Sequence, residues 1–245
     1  MPVIGCQCEV CQSSDPHDKR MRCSILVETE QTRLLVDCGP DFRQQILPQP
    51  FRRIDGILVT HAHYDHMGGM DDIRPYCQFG AINVYADPLA CQGMLQMLPY
   101  CFAENRYPGV PAIGLHEIHP GRPFRIGDID ILPIEVMHGQ LPILGFRFGS
   151  FAYITDMKTI APDQEALLLG VDVLVVNALR FDRPHHSHQL VADAIDFARR
   201  VGSRRTLLTH VCHDVGLHAE VNAHRLPEGF ELAYDGQELD IPYIF

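Results

Sequence analysis

The sequence predicts an α/β fold, and three observations carry that expectation. Short apolar, β-branched runs alternate with stretches whose apolar residues recur at helical spacing. Several of those runs end on a histidine or an aspartate, where open α/β architectures place functional groups. The 245 residues are 46% hydrophobic, enough for a large core, and no repeat, low-complexity segment or Pro/Ser-rich linker divides them. One domain over residues 1–245 is therefore expected.

Taken in order, strands are expected at Ser24–Glu28 and Arg33–Asp37, joined by a hairpin around Thr29–Thr32. Further strands are expected at Gly56–Thr60, Ile82–Tyr85, Ile129–Val136, Gly145–Phe148, Ser150–Thr155, Val171–Val176 and Thr206–Thr209. Helices are expected at Asp41–Leu47, Pro88–Leu98, Pro162–Leu169 and His188–Val201. Proline opens two of them, and Leu190, Ala194, Ile195 and Ala198 give the last its apolar spacing. Tyr100–Gly121, rich in Pro and Gly, reads as a long loop able to cover a site, with His116 and His119 as surface residues.

The densest chemistry lies in His61-Ala62-His63-Tyr64-Asp65-His66, directly after the apolar run Ile57–Thr60. His61 and His63, two apart in extended chain, point the same way and can hold one ion. Asp65 and His66 open a helix before the tight turn at Gly68-Gly69, and they point at a second ion. Imidazole with carboxylate suits Zn, Mn or Fe. This H-x-H-x-D-H run resembles the signature of the metallo-β-lactamase-fold hydrolases. The family's remaining ligand types follow in order, each after an apolar run: His138, Asp156 and His210.

The resemblance implies a four-layer αβ/βα sandwich of two mixed sheets flanked by helices, with two divalent ions at the edge between the sheets. It assigns His61, His63 and His138 to one ion, Asp65, His66 and His210 to the other, and Asp156 to both. Two ions about 3.5–4 Å apart generate a nucleophilic hydroxide and stabilise developing charge, so the implied chemistry is hydrolysis.

At the N-terminus, Cys6-Gln7-Cys8-Glu9-Val10-Cys11 places three thiols within six residues and suggests a zinc site wanting one more ligand. Nine cysteines without a signal peptide argue against a disulfide framework and for a reducing, cytoplasmic setting. Within the superfamily this pattern is similar to the phosphoribosyl cyclic phosphate phosphodiesterase group. That likeness implies a structural zinc on Cys6, Cys8, Cys11 and His213. It also matches His188, at the entrance of the helix after His185-His186-Ser187, to a histidine serving the leaving group. His185 and His186 are expected to cap that helix or face water.

Relatives begin with an apolar strand ahead of the Cys-rich segment, whereas this chain starts at Met1-Pro2-Val3-Ile4-Gly5-Cys6. The first strand is expected to be missing, through truncation or a start assigned downstream. An edge left so exposed favours pairing as a homodimer. The net charge of −11, with no dense basic run, speaks against a long nucleic acid as partner, and no run approaches a membrane span. The leading expectation is a dinuclear phosphodiesterase for a small phosphodiester, cyclic ones included. In it a metal-bridging hydroxide attacks phosphorus while Asp65 and His188 serve the chemistry. Thioester or lactone hydrolysis on the same fold is the alternative, followed by an RNA/DNA-end nuclease and a non-catalytic metal-binding scaffold.

Overall fold

The computed structural model describes residues 1–242. Its strands are β1 Ile25–Glu28, β2 Arg33–Val36, β3 Gly56–Leu58, β4 Ile82–Ala86, β5 Ile113–Glu117, β6 Phe124–Ile126, β7 Ile129–His138, β8 Leu141–Phe148, β9 Phe151–Ile154, β10 Val173–Asn177, β11 Arg205–Thr209 and β12 Phe230–Leu232. Its helices are α1 Glu9–Gln12, α2 Phe42–Ile46, α3 Tyr64–Met67, α4 Pro88–Met97, α5 Pro99–Phe102, α6 Pro162–Ala166, α7 Val191–Val201 and α8 His218–His224. No helix among the described residues is long and apolar enough to cross a membrane. The chain divides into two compact units, Arg22–Pro133 on the one hand and Met1–Met21 with the residues from Ile134 on the other.

In the Arg22–Pro133 unit the sheet order is β1-β2-β3-β4-β5, with β1 antiparallel to β2 and the remaining pairs parallel. Parallel neighbours need crossovers, and α2, α3 and α4 lie in them. Arg33–Val36 is buried along its whole length, as befits a strand flanked on both sides. The turn after β2 packs closely on the loop after α3: Cys38 N–H donates to His66 O at 2.7 Å and Gly69 N–H to Cys38 O at 2.9 Å. That approach needs Gly39 and Gly69, because a Cβ on Gly39 would meet the Asp65 carbonyl and one on Gly69 the Gly39 carbonyl.

In the other unit the order is β12-β11-β10-β9-β8-β7. β9 to β12 run parallel and β8 is antiparallel to β9. α7 buries Val191, Ala194, Phe197, Ala198 and Val201, a stripe at helical spacing, and stops at Gly202 in the left-handed conformation. Both sheets mix parallel and antiparallel strands and carry helices, as expected.

Four expectations need correction. Tyr100–Gly121 is not a bare loop: β5 lies inside it and pairs with β4 from Ile82↔Ile113 to Ala86↔Glu117. α7 starts at Val191 rather than His188, because the Asp193 carboxylate accepts the Leu190 N–H at 2.9 Å and leaves the preceding residues extended. β8 begins at Leu141, earlier than expected, and β6 and β12 were not anticipated. The hairpin between β1 and β2 is as read, with Glu28 opposite Arg33.

Candidate metal centres

The first ligand set lies at the C-terminal end of β3. His61 and His66 are buried, His66 completely, in α3 and the turn leading to it. Both are oriented from behind by Asp37, a fully buried carboxylate that directly follows β2. Asp37 lies 2.8 Å from His66 Nδ1 and accepts from the Thr60 N–H at 2.8 Å and the Thr60 hydroxyl at 2.9–3.0 Å. Burial pushes the Asp37 carboxyl up, against the opposing pull of His66 and Thr60. Thr60 Oγ1 in turn lies 3.0 Å from His61 Nδ1. With its proton donated to Asp37, that oxygen accepts, so Nδ1 carries the proton on both His61 and His66. Nε2 is then the lone-pair nitrogen of each ring.

His61 Nε2 lies 2.9 Å from His63 Nδ1, and His66 Nε2 lies 3.4 Å from Asp65 Oδ2. Two donors at about 2.0–2.1 Å from one ion, subtending 90–110°, stand roughly 2.9–3.4 Å apart. Each pair has the spacing that sharing an ion requires.

The second set belongs to the unit that carries β7 to β12. His138 ends β7 with Nδ1 at 2.8 Å from the Asp156 carbonyl and 2.9 Å from the Ser187 carbonyl, which fixes the proton on Nδ1. Asp156 follows β9 and His210 follows β11; Asp156 Oδ1 lies 3.3 Å from His210 Nε2, and Oδ2 lies 3.9 Å from His138 Nε2. Asp37, Asp156 and His210 all have left-handed backbone, φ +61°, +55° and +53°. Non-glycine residues held there at strand ends mark sites where geometry is over-determined. Around Asp156 the restraint is visible, because the Asn177 amide pairs with both the N–H (2.8 Å) and the carbonyl (3.0 Å) of Met157. Gln189 then donates to the Asn177 carbonyl at 2.7 Å.

His188 is buried between the two histidines of this set, its ring centroid 4.7 Å from that of His138 and 4.8 Å from that of His210. Burial pushes its pKa down to about 3, so the ring is neutral at neutral pH. Its Nδ1 is enclosed and has no hydrogen-bond partner among the described residues, which leaves Nε2 as the nitrogen a ligand can meet. The His185 ring lies beside it, tilted, with centroids 4.9 Å apart, and His186 is exposed.

The cysteine cluster is assembled within the same unit. Sγ of Cys6, Cys8 and Cys11 lie 3.3, 3.3 and 3.5 Å from His213 Nδ1. Tetrahedral zinc with Zn–S about 2.3 Å and Zn–N about 2.0 Å sets sulfur and nitrogen roughly 3.5 Å apart. The Cys11 N–H and the His213 imidazole bring the Cys8 thiol down to about 6, toward the thiolate a metal needs. No cysteine is joined in a disulfide among the described residues.

Sequence reasoning missed Asp37, Thr60, Asn177 and Gln189. Asp37 carried the same signal as the ligands, a carboxylate at the end of an apolar run, but lies outside the histidine motif.

Residues 32–211 match the model of the β-lactamase superfamily domain. A crystal structure of a diphosphatase from the PhnP family superposes with TM-score 0.89 at 35% identity, covering 97% of this chain and 91% of that one. Among curated proteins, an octanoyltransferase of Porphyromonas gingivalis is 41% identical over 97% of this chain and 48% of its own length. A ribonuclease Z of Bradyrhizobium is 31% identical over 65% of this chain and 53% of its own. The chain thus spans about half the length of the curated relatives it matches. By the family match and by its likeness to the diphosphatase across nearly the whole chain, this protein belongs to the β-lactamase superfamily, in the branch that holds the PhnP family.

Proposed function

We propose that the protein is a metal-dependent phosphodiesterase acting on a small phosphodiester, cyclic ones included. The observation that carries this reading is the 35% identity to a PhnP-family diphosphatase over 97% of the chain, an enzyme whose name places its chemistry at phosphorus. In this reading His61, His63 and His138 hold one ion, Asp65, His66 and His210 hold the second, and Asp156 serves both. Ions so held supply an activated water and Lewis-acid stabilisation of charge at the attacked phosphorus. Asp37 and Thr60 keep the proton of His61 and His66 on Nδ1, so that Nε2 remains a ligand atom. The neutral His188 ring donates a hydrogen bond from Nε2–H to the leaving oxygen.

Metal-replete protein is expected to contain about two ions in the His/Asp set, as two-metal hydrolysis requires, Zn, Mn or Fe according to supply. A single ion at full occupancy would remove the dinuclear model. Turnover of bis(p-nitrophenyl) phosphate, a thioester and a lactone under defined metals tests the reaction class. The octanoyltransferase relative favours acyl chemistry as the second reading. A thioester rate well above the diester rate would establish it.

Cys6, Cys8, Cys11 and His213 are proposed to hold a structural zinc, because four protein ligands leave no open position for substrate. The metal would tie α1 to the loop that carries His210. Cys8→Ser is expected to lose this zinc and lower the melting temperature by several degrees, with a smaller effect on the chemical step, read by metal analysis and thermal denaturation. Zinc content equal to wild type in the variant would refute the assignment.

A further inference from the structure

The end of the sheet that carries the histidine motif holds a further ligand-type side chain. β1 runs antiparallel to β2 with Ile25 opposite Val36, so the residues just before β1 lie beside the turn after β2, where Asp37 meets His66. Cys23 stands there, half-buried, with its Sγ no more than 4.8 Å from a ring nitrogen of His66. Both neighbours of Cys23 are tied down. The Ser24 hydroxyl donates to the Asp37 carbonyl at 2.8 Å and lies 3.1 Å from the Val36 carbonyl. On the other side the Arg22 N–H donates to Asp41 at 2.8 Å, and the Arg22 guanidinium holds both oxygens of that carboxylate at 3.0 Å. The Gln45 amide donates to the Arg22 carbonyl at 2.7 Å.

A sulfur and an imidazole nitrogen that share one tetrahedral zinc stand roughly 3.5 Å apart. A thiol whose backbone is fixed on both sides and whose sulfur already faces a ligand ring needs little further ordering to bind. We propose that Cys23 is a thiolate donor to the ion that the proposed function gives to Asp65, His66 and His210, and that it sets the metal preference of that position. On binding, the thiol releases its proton to solvent and its sulfur lends an electron pair to the ion. Imidazole and carboxylate alone suit Zn, Mn or Fe, whereas sulfur favours zinc over manganese. Zinc takes the extra donor by expanding to five-coordinate. This inference rests on the two-ion reading for its metal and on no particular substrate.

The test uses the full chain, stripped of metal and reloaded with cobalt(II), whose bonds to sulfur absorb in the near ultraviolet. Cys6, Cys8 and Cys11 contribute equally in wild type and in Cys23→Ser, so the difference spectrum at equal cobalt content reads Cys23 alone. Wild type is expected to show an additional sulfur band. In competition for the stripped protein, Cys23→Ser should lower the preference for zinc over manganese about 10–100-fold, the range that partners of metal ligands carry. If Cys23→Ser loses the ion, Cys23→Asp, which restores a donor without sulfur, decides. It should recover the cobalt and lack the band, and failure to recover it overturns the assignment. Superimposable spectra of wild type and either variant, or an unchanged metal preference, also overturn it. A sulfur band in a protein that turns over no diester leaves Cys23 as a ligand and removes the phosphodiesterase reading. Diester turnover on two ions without that band does the reverse.

Discussion

His188→Ala is expected to lose about 10²–10⁴-fold in rate on an alkyl cyclic phosphate while keeping both ions of the His/Asp set. The ring is buried against His138 and His210 and neutral at neutral pH, so what it offers a departing oxygen is a hydrogen bond, not a full positive charge. An alkoxide is a poor leaving group and gains most from such a donor. A nitrophenolate leaves almost unaided, so on an activated aryl ester the loss should be clearly smaller. Steady-state rates on the two substrate types, with metal content measured on the same samples, separate the possibilities. Equal losses on both would make His188 a group that binds or positions phosphate, and no loss on either would reduce it to packing.

Asp37→Ala should be the most damaging single change outside the ligands. Its carboxylate is completely enclosed and holds His66 Nδ1, the Thr60 N–H and the Thr60 hydroxyl together. Removing it strands a buried backbone donor, a hydroxyl and an imidazole at once, and each unsatisfied buried group costs about 1–3 kcal/mol. It also releases the ring orientation of His66, and outer partners of metal-binding histidines typically carry 10–100-fold in affinity. Thermal denaturation should therefore show a large drop, and metal titration a weakened ion on the Asp65/His66 side. Asp37→Asn, which keeps the shape and one acceptor oxygen, should fall between. Wild-type metal affinity in Asp37→Ala would show that His66 needs no such support.

The alternation of elements and the positions of His61, His63, Asp65, His66, His138, Asp156 and His210 at or beyond strand ends were legible because both rest on local pattern. β5 was not legible, since Ile113–Glu117 becomes a strand only by pairing with β4, and the Pro and Gly around it mimic a loop. The start of α7 was displaced for a related reason. Gln189 is drawn into the amide network of Asn177, a tertiary contact that overrides the helical spacing beginning near Leu190. The cysteine cluster was legible only in part: the spacing gave three thiols, while His213 rested on family likeness until the fold brought it within 3.3–3.5 Å of all three sulfurs. Asp37 shows the limit from the other side. The sequence marks where a carboxylate stands, and only the fold shows which histidine it faces.

Asp156 and His210 occupy backbone that glycine or asparagine would adopt more cheaply, at a cost of about 1–3 kcal/mol for each strained residue. Variants scored for cellular abundance and variants scored for turnover should therefore disagree at these positions. Glycine would be tolerated best, or even enriched, in a screen for abundance, and would be among the first residues eliminated in a screen for activity. The gap between the two profiles along the chain would then chart the reacting centre without any ligand, metal or substrate being known.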